Sequence, residues 1–183
     1  AQPVRRSVQP DYQRAVEHMP NRYDFVVRWA NVLEQSGQAP PPGYEAAMAK
    51  AFVEVPGNTG IVLSYLSYLT DVKKDFAMAR RVADDMAARF PKSASARIYQ
   101  ARVEFKDGKT SKALEILAKS PVDAKSSVGR AADYGYLAQE AISFGDLKLA
   151  EKFVKSAAAE DAWQGTAILT SAAMLHALVF DIW

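Results

Sequence analysis

The 183-residue chain contains no cysteine. That absence excludes a disulfide framework, a cysteine nucleophile and thiolate zinc sites, and it is neutral about compartment. Histidine is scarce as well. His18 and His176 stand near opposite ends of the sequence, so neither a histidine-based triad nor a metal cluster is expected. Charge of one sign is not in excess: 23 Lys and Arg face 21 Asp and Glu, a formal net charge of +2 with both signs mixed along the chain. So small a surplus neutralises few phosphates, which argues against nucleic acid or an anionic membrane as partner. The apolar stretch 166–180 holds 15 residues without formal charge, short of the roughly 20 that span a membrane.

Catalytic patterns are missing too. Gly57-Asn58-Thr59-Gly60 is too short for a phosphate loop and lacks the Lys-Ser or Lys-Thr that follows one. Asp84-Asp85 and Glu160-Asp161 are adjacent pairs whose side chains diverge on a helix, so they read as solvated charge. His176, inside the apolar stretch 172–180, reads as a hydrogen-bonded core or interface residue. No catalytic residue, cofactor or metal is expected. The chain opens at Ala1 with neither an initiator Met nor a basic-then-apolar leader, which suits a processed mature chain or an excised piece and slightly favours an exported protein.

What the sequence does have is helical periodicity punctuated at regular intervals. Gly37, Lys74, Gly108 and Gly145 fall 37, 34 and 37 residues apart, each where one helix should hand over to the next. Such a period marks stacked helix pairs that bury their apolar faces against neighbours. Helical patterning predicts helices over 11–19, 21–36, 44–55, 77–90, 94–106, 111–119, 130–144, 147–158 and 166–183, with an extended Pro-rich loop at Pro40 to Pro42. In 77–90 the buried stripe is Ala79, Val82, Ala83, Met86 and Phe90. Arg80 with Asp84, Arg81 with Asp85 and Asp85 with Arg89 are spaced for ion pairs on its outer face. A strand competes over 61–69, where tyrosines and aliphatics are β-formers, but Leu63, Tyr65, Leu66, Tyr68 and Leu69 also fit a helical face and the helix that follows argues for a pair.

Four large-then-small pairs sit in the first helices: Trp29-Ala30, Leu66-Ser67, Gln100-Ala101 and Leu137-Ala138. Alanines recur early in the second helices at Ala46, Ala79, Ala113 and Ala150, and Pro20, Pro56 and Pro91 follow helices. With the turn glycines, these residues resemble the tetratricopeptide repeats, with Gln100 in place of a hydrophobe and Lys74 in place of a glycine. The resemblance implies an all-α fold, an α-solenoid of stacked antiparallel helix pairs in one domain over 1–183, with about four full units and half units at both ends. Small side chains at those positions let helices approach closely.

The resemblance also implies a groove lined by the first helices. The family's groove position falls on Asn31, Tyr68, Arg102 and Gln139, where amides and a guanidinium would hydrogen-bond an extended peptide and Tyr68 would stack on a side chain. Only Arg102 is basic in that set, so the family's basic carboxylate clamp is not reproduced. The terminal helix 166–183 has no predicted partner helix, so Leu169, Met174, Leu178, Phe180 and Trp183 are candidates for a dimer interface unless a further repeat covers them. An unpaired helix at each end favours a piece of a longer array. Three readings stay open: a non-enzymatic scaffold or adaptor for a protein segment, in a bacterial envelope, secretion or polysaccharide-export assembly; a repeat domain of a larger cell-wall lyase or peptidase; and a self-assembly module dimerising through the terminal helix.

Overall fold

The computed structural model describes residues 14, 18, 25, 29, 32, 44–55 and 57–161. Among them no strand occurs, and the segment where a strand competed is helical. The predicted helix 166–183 and its candidate interface residues Leu169, Met174, Leu178, Phe180 and Trp183 lie outside the described residues, as do Asn31, Gly37 and His176. Two compact units, residues 1–74 and 75–183, divide the chain. The boundary falls at the left-handed Lys74.

In the first unit α1 (Tyr44–Glu54) packs on α2 (Thr59–Ser67). The Gly57–Gly60 segment is a helix start: the Asn58 side-chain oxygen accepts from the Gly60 and Ile61 amides at 3.1 and 3.3 Å, satisfying donors that the first turn leaves orphaned. Tyr44, Met48, Ala51 and Phe52 on α1 and Ile61, Val62, Tyr65 and Leu66 on α2 are buried. Trp29 meets Tyr44 edge-on at 6.2 Å, so the aromatic packing includes a residue of the preceding segment. After Ser67 the helix widens into a π-helical turn (Tyr68–Val72), with the Lys73 amide donating to the Tyr68 carbonyl at 3.0 Å. Lys74 follows with φ of 57°, the backbone that a turn glycine would adopt.

The second unit contains α3 (Phe76–Arg89), α4 (Ala94–Lys106), α5 (Thr110–Ala118), α6 (Ser127–Ser143) and α7 (Leu147–Glu160). Asp75, Ser93, Ser126 and Asp146 cap α3, α4, α6 and α7, each side chain accepting a first-turn amide. The cap at Ser126 explains why α6 begins three residues before the predicted start at 130. Two helix ends close identically. Gly108 donates to Phe105 and Lys109 to Glu104, while Gly145 donates to Ile142 and Asp146 to Ala141, all at 2.9 Å; both glycines are left-handed, at 76° and 84°. These are Schellman closures, in which a residue without Cβ occupies the left-handed position at least cost.

Alanines set how closely the helices approach. Ala101, Ala113, Ala138 and Ala141 are fully buried among Ile98, Leu117, Leu137, Phe144, Phe153 and Val154. Phe105 stacks on Phe144 with centroids 4.3 Å apart, joining the last turn of α4 to the residue that closes α6. Three sequence expectations are corrected. Phe90, assigned to the buried stripe of α3, is 39% exposed because it is the residue that leaves the helix, with φ −126° and ψ 64°. Ala46, unlike Ala79, Ala113 and Ala150, is exposed. Of the ion pairs predicted on α3 the structure shows Asp85 with Arg89, at 2.7 Å, whereas Arg80 turns across to Glu104 on α4 and to Asp107, which closes that helix.

The turn residues generate a stability prediction. Gly145→Ala places a Cβ on a left-handed residue and is expected to lower unfolding free energy by about 1–2 kcal/mol, whereas Lys74→Gly relieves that penalty and is expected to raise it by up to about 1 kcal/mol. Urea unfolding followed by circular dichroism measures both; equal effects of one sign would contradict the backbone assignment.

Candidate partner-binding face

In the second unit the outward surface of α6 is a continuous line. Val128, Ala132, Tyr136, Gln139 and Ser143 recur at helical spacing on one arc; Val128 is 50% exposed and Tyr136 58% exposed. The opposite arc, including Leu137, Ala138 and Ala141, is buried. An apolar and aromatic line on a helix whose other face already fills the core has no role in that core. Gln139, one of the sequence-predicted groove residues, lies exposed on this line.

Arg102 on α4 is the second predicted groove residue in this unit. Its Nε donates to Glu140 Oε2 at 2.9 Å and its Nη2 bonds Glu140 Oε1, a two-pronged pair across to α6. The Glu140 side chain is nearly buried while that of Arg102 is 43% exposed. Hydrogen bonding to Glu140 holds the guanidinium above its usual value against the opposing effect of burial. Burial pushes the phenol of Tyr99 up, and Arg102 offsets part of that rise. Arg102 is therefore committed to a partner inside the unit. The structure brings Arg102 beside Gln139 only through Glu140, the residue that follows it.

Tyr68 belongs to the first unit. It is half-buried in the π-helical turn and meets Tyr44 edge-on at 5.1 Å, so one ring edge or face is already occupied. Asn31 lies outside the described residues.

A feature that the sequence pattern did not suggest lies where α3, α4 and α5 meet. A polar cavity of about 210 Å³ is lined by Arg80, Asp84, Arg97, Gln100, Glu104 and Lys112 with a floor that includes Ala83, Val103 and Ile116. Gln100, the substitution for a hydrophobe, is a bridge: it accepts from Arg97 at 2.8 Å and donates to Asp84 at 2.6 Å. Glu104 is 4% exposed, and its Oε1 accepts from Arg80 at 3.1 Å and Lys112 at 2.6 Å. Burial alone would raise its carboxyl, but Lys112 and Arg80 outweigh that and hold it below its ordinary value of 4.5. The only sequence signal for this network was Gln100, because pairs between helices have no fixed spacing.

Among the described residues no group of three or more His, Cys, Asp or Glu could hold a metal ion, and no helix is long and apolar enough to cross a membrane. His18 is helical and exposed. No protein-family model matches the chain, and no curated protein matches it. In structure it is similar to a thermophilic TPR protein from Thermus thermophilus, with a TM-score of 0.52 and 16% identity, over 91% of this chain and 89% of that one. The likeness is one of fold: the chain has a TPR-like all-α helical-repeat fold of the α-solenoid class.

Glu104 sets an acid limb. Its folded value lies below the unfolded 4.5, so its stabilisation is complete above that pH and is lost as pH falls through the folded value. Glu104→Gln is expected to lower stability at pH 7 by about 1–2 kcal/mol and to flatten the decline below pH 4.5. Denaturant midpoints between pH 3 and 7 check it; an unchanged acid slope would show that Glu104 is not the group responsible.

Proposed function

We propose that the chain is a non-enzymatic scaffold or adaptor that binds a segment of a partner protein across the first helices of its repeats. In the second unit those helices are α4 and α6. The observation that carries this reading is the line of exposed Val128, half-buried Ala132 and exposed Tyr136, Gln139 and Ser143, an apolar and aromatic strip ending in polar side chains on a helix otherwise anchored in a core. Tyrosine and glutamine suit such work, because an aromatic ring supplies contact area at low entropic loss and an amide both donates to and accepts from a peptide backbone. Arg102 serves this surface indirectly, by fixing Glu140 beside Gln139. A basic clamp for a terminal carboxylate finds no support, since the one basic residue of the predicted set is already paired. The setting we favour is a bacterial envelope assembly of the secretion or polysaccharide-export kind, on the habit of the repeat family.

Cross-linking pull-down from the source cell tests the reading with a Tyr136→Ser, Gln139→Ala double variant, which leaves Arg102 and Glu140 intact. The expected result is a partner captured by the wild-type chain and depleted at least about tenfold with the variant, at unchanged helicity. Recovery of the same partners with both proteins would overturn the reading.

A further inference from the structure

Asp133 lies on α6 one turn before Tyr136 and two turns before Glu140, on the flank of the exposed line. Residues three and four apart are surface neighbours on a helix, so Asp133 and Tyr136 occupy adjacent places on the surface of α6. It is half-buried, and burial alone pushes its carboxyl above the ordinary aspartate range, with no neighbouring cation to counter it.

The arginine one turn away on α6 and the arginine that α4 sends to α6 are both engaged elsewhere. Arg130, three residues earlier on the same helix, donates to Glu160 at 2.6 Å and to the Ala124 carbonyl at 3.2 Å. Arg102, on α4, is held by Glu140. Two turns before Arg102 on α4 stands Ser95, which has no charge. Among the described residues no hydrogen bond or ion pair reaches the Asp133 side chain. A partly desolvated carboxylate without a partner is unfavourable in the free protein and favourable once a cation arrives. The exposed Tyr136 ring beside it adds a face on which a cation is attracted.

We propose that Asp133 and Tyr136 together form the anchor point for a basic side chain, Lys or Arg, of the protein segment that lies along α6. The inference rests on the partner-binding reading above and makes it specific: the occupant carries a positive charge next to an apolar or aromatic residue that covers Val128 and Ala132. This polarity is the reverse of carboxylate capture.

A peptide library displayed on phage and selected against the purified full chain tests it, followed by anisotropy titrations of synthetic binders. The expected result is enrichment of Lys or Arg at one position, with replacement of that residue by Gln weakening binding to the wild type about tenfold. Asp133→Asn should weaken the basic peptide about as much and leave the Gln peptide unchanged, a coupling that loss of folding would not mimic. Binders that depend on Tyr136, as judged by Tyr136→Ala, but are indifferent to Asp133→Asn or are acidic at that position would overturn this inference and leave the partner-binding face standing. Selection of no binder, or only of binders indifferent to Tyr136→Ala, would overturn both.

Discussion

Everything in the second unit depends on how closely α4, α5, α6 and α7 approach one another, and alanine sets that distance. Ala101, Ala113, Ala138 and Ala141 have no exposed surface. A longer side chain at any of them would have to displace a neighbouring helix, because interiors pack too densely to absorb added methylenes. Close approach in turn lets Phe105 stack on Phe144 and brings Arg102 within reach of Glu140. Small residues thus act first through geometry, and the larger contacts follow from the spacing they permit.

The Arg102 and Glu140 pair shows why a groove position cannot be read as a ligand contact by its place in a repeat. Arg102 stands where the repeat resemblance predicts a groove contact, yet its guanidinium serves a nearly buried carboxylate of α6. Breaking such a pair from the arginine side leaves a carboxylate in a poor solvent, so the loss would appear first as instability. What the packing leaves unused is a different set of residues. On α6 these are Tyr136 and Gln139, of which only Gln139 stood at the repeat position.

Helix identity was legible because its signals are local. The glycines at 108 and 145 act on amides and carbonyls within a few residues, so they declare themselves in the sequence, and the structure adds the equally local caps Ser93 before α4 and Asp146 before α7. Lys74 was legible through the period alone, and its left-handed backbone agrees with its place. Phe90 was misread because apolar spacing continues one residue past the point where the helix ends. Arg80 was misread because a four-residue spacing offers a weak exposed pair, whereas Glu104 and Asp107 offer two acceptors, one of them buried. Interhelical partners have no sequence period, which is also why the polar cavity and the Arg102 to Glu140 pair were invisible before the helices were placed.

Charge follows the same logic. A formal net charge of +2 over the chain describes a near balance, and among the described residues of the second unit part of it is struck pair by pair: Arg130 with Glu160, Arg102 with Glu140, Lys112 and Arg80 with Glu104. Each pair removes two charges from what a partner can sense at close range. The local field of α6 is therefore set by the acidic residue left over, Asp133, and by the ring beside it. Where opposite charges are nearly equal in number, the charge that a surface presents is decided by which groups the fold leaves without a partner, and that choice is made by helix register and packing.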